Sequence, residues 1–194
     1  MSARTALAPA PAPGAPAARP HPQDPAERRR ALYHLASPVS VLTVSHAGHL
    51  HGSTASTATL VSRDPLLLGV SLRANSVFLK LALAEGRFAA NVLGAHQADL
   101  ARHFASGDRP DGAGQFAGTE WTRASYGGAP LLSGALAHYT CRVHGSYPLG
   151  DSVVLLGRVV RATAGEGSPL LSYSGGLFAG SLCPAPTVKE TPDS

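Results

Sequence analysis

Apolar positions along this chain fall mostly in short runs with β-type spacing, and only three stretches carry helical spacing. Glu27 to Ala36 places Ala31, Leu32 and Leu35 at helical intervals and stops before Pro38, which predicts a first helix. Val39 to Val44 is apolar and β-branched, with Val39, Val41 and Thr43 on one face, and predicts a strand. Ala47-Gly48 offers a turn, and His49 to Leu60 returns as a strand rich in Thr and Ser, so the pair reads as a hairpin. Leu66 to Leu72 is a short apolar run of the kind found in buried strands. Asn75-Ser76 supplies a capping signal for a helix with Val77, Phe78, Leu81 and Ala84 on one face. Arg87 to Leu93 predicts another strand, and His96 to Phe104 a helix. Gly107 to Pro130 is a glycine-rich loop too long for a simple connector. Leu136 to Val143 and Ser152 to Val160 predict two long strands separated by His144 to Asp151, and Pro169 to Leu182 a closing strand and turn.

Strands therefore dominate and are not each followed by a helix, which argues against a doubly wound parallel sheet. The expected fold is mainly β with helices: an antiparallel, Greek-key-like barrel with helices at its rim, since closure removes unpaired strand edges. The tails stand apart. Residues 1–26 contain nine Ala and seven Pro, cannot build a core, and are expected to be disordered. Residues 184–194 are expected to be loose as well, leaving 27–183 as the folded domain.

Composition narrows the function classes. With 194 residues, one domain or two small ones are expected. No run approaches the ~20 apolar residues of a membrane-spanning helix, so no membrane role is expected. Two Cys, Cys141 and Cys183, exclude a disulfide-stapled scaffold and a four-thiolate zinc module, and free thiols are the default in the expected cytoplasmic setting. A net charge of +4 is mild, and its only basic run is Arg28-Arg29-Arg30, which reads as a solvated helix face. That balance fits a small anionic ligand better than a nucleic acid.

Two segments carry candidate chemistry. In His51-Gly52-Ser53-Thr54-Ala55-Ser56-Thr57-Ala58-Thr59, hydroxyls lie on both faces of the expected strand. Small hydroxyl residues let a flat ligand approach the backbone and offer its polar edge donors and acceptors, although an exposed Thr/Ser edge strand would look the same. Arg73-Ala74-Asn75-Ser76 joins the end of a buried strand to a helix N-terminus, where free N–H groups and a guanidinium could hold a phosphate, or where Asn75 or Ser76 could simply cap the helix. His46, His49 and His51 could approach a metal ion, but they straddle the hairpin turn and have no adjacent Cys or carboxylate, so no metal site is expected. Trp121 either anchors the long loop or covers a ligand.

In their order, these segments resemble the flavin reductase-like family, whose domain is an FMN-binding split barrel. His51-Gly52-Ser53-Thr54-Ala55-Ser56 resembles the family's H-G-[MF]-T-[AV]-S strand, and Ser62-Arg63-Asp64-Pro65 its S-x-D-P-P turn. Asn75-Ser76 is similar to its phosphate loop, and Phe88-Ala89-Ala90-Asn91-Val92-Leu93 to its F-[AG]-[VI]-N-[VI]-L strand. Gln97 to Ala105, Phe116 to Trp121, Gly128 to Leu132, and Gly150-Asp151 with Gly157-Arg158-Val159 continue the likeness, which runs from Arg29 to Leu182.

The resemblance implies a homodimer that binds FMN, or FAD, and reduces it with NADH or NADPH, supplying reduced flavin to a partner monooxygenase. It places the isoalloxazine ring along Thr54, Ala55, Ser56 and Thr57, the ribityl phosphate at Ser71, Arg73, Asn75 and Ser76, and Asn91 beside the flavin. Reductase members often read G-D-H where this chain has Gly150-Asp151-Ser152, so Ser152 and the nearby His144 are the candidates for the nicotinamide side. That departure leaves a second reading, a flavoenzyme that retains FMN and acts on an organic substrate, and the same barrel allows a third, a non-catalytic flavin or tetrapyrrole binding module.

Overall fold

The computed structural model describes residues 24–32 and 34–180. The chain divides into two compact units, Met1–Leu32 and Tyr33–Ser194. Of the first, the described part is helix α1, Pro25–Leu32, opened by Asp24, whose side chain accepts from the Ala26 N–H. The sequence places a domain start at Glu27, inside this helix, and extends the helix to Ala36. Beyond His34 the chain is instead drawn into an extended pair at Ser37–Pro38, where proline disfavours helical backbone before it. Arg28 and Arg30 are exposed, as expected of a solvated face. The two tails expected to be disordered lie outside the described residues, apart from Asp24 to Ala26.

In the second unit, seven strands form one antiparallel sheet. They are β2 (Ser40–His46), β3 (His49–Ala55), β4 (Thr59–Arg63), β5 (Leu66–Arg73), β6 (Arg87–Val92), β9 (Ala137–Leu149) and β10 (Ser152–Ala164). Their order is β3-β2-β6-β9-β10-β5-β4, so β3 and β4, consecutive in sequence, lie at opposite edges. The sheet curls until those edges approach, and Ser56 to Ala58 span the split. This is the mainly β split barrel that the sequence predicts. Two smaller sheets flank it: β1 (Ser37–Pro38) with β11 (Leu170–Tyr173) and β12 (Gly176–Ala179), and β7 (Trp121–Arg123) with β8 (Pro130–Leu132).

Alternation sorts the side chains into two cores. Leu42, Val44, Val70, Phe88 and Leu155 point into the barrel, where helix α2 (Val77–Glu85) packs against them through Phe78, Leu79 and Ala82. On the outer face, Val39, Val41 and Leu93 meet Phe104 of helix α3 (Ala98–Ala105), Phe116, Leu132 and Leu170.

The structure redraws two expected elements. The strand read as His49 to Leu60 breaks after Ala55, because Ser56 to Ala58 must cross between sheet edges; the Thr57 hydroxyl donates to the Ser71 carbonyl 2.8 Å away and holds the crossing. The gap read at His144 to Asp151 is strand: β9 runs to Leu149, pairing Gly145 to Leu149 with Leu156 to Ser152. Gly150, at φ 63°, makes the tight reversal with Asp151. The Ala47-Gly48 hairpin turn is as expected, with φ of 49° and 82°, the two positive values of a type I′ turn.

Candidate functional site

A cleft of about 480 Å³ opens where β3 ends, where β5 meets α2, and where the C-terminal end of α3 approaches. Ser53, Thr54, Ala55, Ser56 and Thr57 line one side, Ser71 to Arg73 with Asn75 and Ser76 another, and Phe104, Ala105 and Arg109 a third. The two motifs singled out in the sequence, some twenty residues apart, thus share one cavity. Its size is within the roughly 300–1,000 Å³ of small-molecule sites.

The helix end of the cleft is electropositive. Ser76 caps α2, its hydroxyl accepting from the Leu79 N–H at 3.4 Å, while the Ser76 N–H donates to the Arg73 carbonyl at 3.0 Å. The helix dipole places partial positive charge at this terminus. The side chains of Arg73 and Asn75 are exposed and have no hydrogen-bond partner among the described residues. The sequence left capping and phosphate binding as alternatives; the structure divides them, with Ser76 capping and Arg73 and Asn75 unengaged.

The hydroxyls are divided too. Thr54 Oγ1 donates to the Ala101 carbonyl at 2.7 Å, tying β3 to α3, and the Thr57 hydroxyl is spent on Ser71. Both can only accept from a ligand. Ser53 and Ser56 keep free hydroxyl protons among the described contacts.

Behind β3 lies a polar layer that the sequence reading missed. Gln115, buried, accepts from the Gly52 N–H at 3.1 Å and from Arg109 Nε at 3.2 Å through Oε1, and its amide nitrogen donates to His51 Nδ1 at 3.2 Å. Arg109 donates to the Gly52 carbonyl at 3.0 Å through Nη2 and to the Ser106 carbonyl through Nη1. Gly52 has to be glycine here: a Cβ would lie 2.5 Å from Phe104 Cε1. Arg109 and Gln115 sit in the long glycine-rich loop, whose length was its only signal. Burial, then the nearby Arg109 charge, pushes the His51 pKa down to about 4, so its ring is neutral at pH 7.

Several expected residues lie elsewhere. Asn91 does not reach the cleft. It is fully buried on the outer face of β6, where its amide nitrogen donates to the Val41 carbonyl at 2.9 Å and its oxygen accepts the Leu132 N–H at 2.9 Å. Its polar side chain satisfies backbone groups where the β8 segment docks. His144 is exposed in the irregular ladder between Val143 and Gly145, whereas Ser152 pairs with Arg73 across β5 and donates to Asp151 Oδ1 at 3.0 Å. At ~3.3 Å per residue they stand roughly 15 Å apart along β10, and neither lines the cleft. Trp121 anchors the loop, packing on Phe116 with ring centroids 5.8 Å apart. His46 faces Glu85 of α2 at 3.2 Å. Cys141 is buried, its thiol pushed up to about 12 by burial; Cys183 lies outside the described residues.

The cleft therefore presents a small-residue strand end, a serine-capped helix N-terminus and two guanidinium groups, with no carboxylate in its lining. A family model described as "Flavin reductase like domain" matches residues 32–181. The chain belongs to the flavin reductase-like family. An NADH-dependent FAD reductase of Streptomyces globisporus is 36% identical over 157 residues, spanning 81% of this chain and 86% of that relative. The reductase component of a Rhodococcus opacus 4-nitrophenol 4-monooxygenase/4-nitrocatechol 2-monooxygenase is 36% identical over 155 residues, 79% of this chain and 80% of that one. A solved structure of a Streptomyces globisporus NADH:FAD oxidoreductase superposes with a TM-score of 0.76 at 34% identity, covering 87% of this chain and all of the other. In this flavin reductase-like chain, the family match over residues 32–181 includes every wall of the cleft.

Proposed function

We propose that the chain is an NAD(P)H-dependent flavin oxidoreductase that reduces FMN or FAD and releases it to a partner monooxygenase. The observation that carries this reading is the convergence of Ser53 to Thr57 with Arg73, Asn75 and Ser76 around one cleft. A flavin supplies hydride acceptance at its ring; the protein's part is to bind and align. Arg73, Asn75 and the α2 N-terminus receive the phosphate. Ser53 and Ser56 offer hydroxyl protons to the ring's polar edge, and the spent hydroxyls of Thr54 and Thr57 offer lone pairs. Phe104 and Ala105 give an apolar wall. Among the relatives, the names specify NADH-dependent FAD reduction, NADPH-flavin oxidoreduction and a monooxygenase reductase component.

The test is NAD(P)H oxidation by the purified chain with and without added flavin. Oxidation that requires free FMN or FAD and saturates with it is the expected result. A protein that purifies with bound flavin yet ignores NADH and NADPH would replace this reading with that of a flavoenzyme acting on an organic substrate. The phosphate assignment makes its own prediction. Arg73→Gln combined with Asn75→Ala should weaken FMN binding about tenfold or more while leaving riboflavin within about twofold, because charge-assisted contacts to phosphate are lost. Equal losses for both ligands in fluorescence titrations would overturn it.

The reading includes a homodimer, working in the cytoplasm where reduced nicotinamide nucleotides are available. Support for self-association comes from β4, an edge strand whose Leu60 and Val61 are about half exposed, at 49% and 52%. No charge interrupts Ala58 to Val61, and uncovered apolar edges invite pairing. Beside it the barrel mouth holds an apolar cavity of about 510 Å³, lined in part by Leu60, Leu66 and Tyr139 and by Ser40, whose buried hydroxyl has no partner among the described residues. A second copy would cover both. Sedimentation should give a two-chain mass, and Leu60→Asp with Leu66→Asp should give a folded single chain; an unchanged mass would move the interface elsewhere.

A further inference from the structure

Inside the barrel, helix α2 packs Phe78 and Leu79 against Leu42, Val44 and Phe88. Around Ser40 the interior is not filled. Ser40 shares the inward face of β2 with Leu42 and Val44, two and four residues on. It pairs with Val92 across β6, and the next inward residue of β6, Ala90, pairs with Tyr139 of β9. Ser40, Ala90 and Ala58 are small, and between them lies the cavity of about 510 Å³ at the barrel mouth. Its lining shares no residue with the cleft and includes no charged side chain. Ser40 is wholly buried, and its hydroxyl is the one buried side-chain polar atom left without a hydrogen-bond partner among the described residues. Thr43, equally buried on the same strand, donates to the Pro130 carbonyl at 2.6 Å. A buried hydroxyl without a partner is costly, and alanine at position 40 would avoid the cost.

We propose that this cavity is a second binding site, separate from the flavin cleft, for a neutral compound of one or two rings whose single hydroxyl or carbonyl group meets Ser40. The volume lies within the roughly 300–1,000 Å³ of small-molecule sites, and an apolar wall with one placed polar group is their usual construction. The Ser40 hydroxyl can donate to a carbonyl or accept from a hydroxyl, so either group satisfies it. Tyr139 contributes an aromatic wall, which favours a ring over a flexible chain. A charged ligand is disfavoured, because it would lose hydration and meet no opposite charge. The site does not depend on the flavin reductase reading. In the two-chain assembly, the second copy laid over β4 closes the mouth of the cavity and leaves its interior to the ligand.

The experiment titrates the full chain calorimetrically with three probes: 2-naphthol, naphthalene and 2-naphthalenesulfonate. The wild type should bind 2-naphthol at least about tenfold more tightly than the sulfonate, whose charge the cavity cannot compensate. Ser40→Ala should weaken 2-naphthol about fivefold, the loss of one neutral hydrogen bond, and leave naphthalene within about twofold. Val92→Phe, which adds bulk at the cavity wall, should weaken both neutral probes at least about tenfold. A cooperative unfolding transition in each variant shows that it folds. Binding of 2-naphthol that survives Val92→Phe would place the probe elsewhere and overturn the proposal. So would an unchanged affinity in Ser40→Ala, or equal binding of 2-naphthol and the sulfonate. A wild-type chain that binds neither neutral probe would overturn it too, and leave the second copy as the occupant of the cavity. If Val92→Phe does not fold, the contrast between 2-naphthol and naphthalene in Ser40→Ala decides alone.

Discussion

Replacing Asn91 by alanine is expected to lower unfolding free energy by about 4 kcal/mol, a large share of the roughly 5–15 kcal/mol that holds a domain together. Asn91 is wholly buried, and its side chain closes three strands onto one another. Its nitrogen donates to the Val41 carbonyl on β2, and to Thr43 Oγ1 and the Pro130 carbonyl at 3.3 and 3.4 Å. Its oxygen accepts from Leu132 N on β8. Alanine would strand that N–H in an apolar core beside Leu93 and Leu132, where neither water nor another acceptor substitutes. Asn91→Asp should cost a similar amount, since it replaces a donor by a group that is costly to bury charged. Urea unfolding checks the stability and FMN titration checks the site: flavin affinity of the folded variant should stay within about threefold, because Asn91 and the groups it bonds do not line the cleft. A stability change below about 1 kcal/mol with a large loss of flavin affinity would return Asn91 to the flavin site.

Acidification should destabilise the chain through His51. Its folded pKa, about 4, lies below the 6.5 of an unperturbed histidine, because burial and the Arg109 charge disfavour the imidazolium. Above pH 6.5 the ring is neutral in both states and contributes no pH dependence. As pH falls from 6.5 toward 4, the unfolded chain takes up a proton that the folded chain refuses, so stability declines across that window and levels off below it. The full shift corresponds to at most about 3 kcal/mol. Protonation also removes the Nδ1 lone pair that receives the Gln115 amide, so the layer behind β3 loosens as the ring charges. His51→Asn keeps an acceptor for Gln115 and cannot titrate. Unfolding free energies measured at pH 7 and pH 4.5 should therefore fall further in the wild type than in His51→Asn. Parallel declines would assign the acid sensitivity to other groups.

Much of the barrel was legible because its determinants are local. Alternation in Val39 to Val44 and Arg87 to Leu93, the Ala47-Gly48 turn, and the Ser76 cap each depend on a few neighbouring residues and came out close to their expected positions. The hydroxyl run and the Arg73 to Ser76 segment were also visible, because small polar residues and a capped helix start have distinctive chemistry. Strand length was less legible. Nothing within His49 to Leu60 says that Ser56 to Ala58 must cross the split, since the crossing is imposed by β3 and β4 lying at opposite edges of a seven-stranded sheet. His144 to Leu149 read as a gap because Gly145 and Pro148 are poor strand formers, yet cross-strand pairing with β10 holds them extended.

The sequence by itself determined the class of fold, the family resemblance and two of the three walls of the cleft, since each rests on patterns within short segments. Tertiary structure alone decided which polar side chains are free for a ligand. Thr54 and Asn91 carry the same kinds of groups as Ser53 and Asn75, and only the chain brought beside them, Ala101 for one and Leu132 for the other, uses those groups up. Arg109 and Gln115 entered the site for the same reason. Their loop has no periodicity to read, and they are placed by Phe116 docking on Phe104, twelve residues away in sequence, and by the backbone of Gly52, 57 residues from Arg109 and 63 from Gln115.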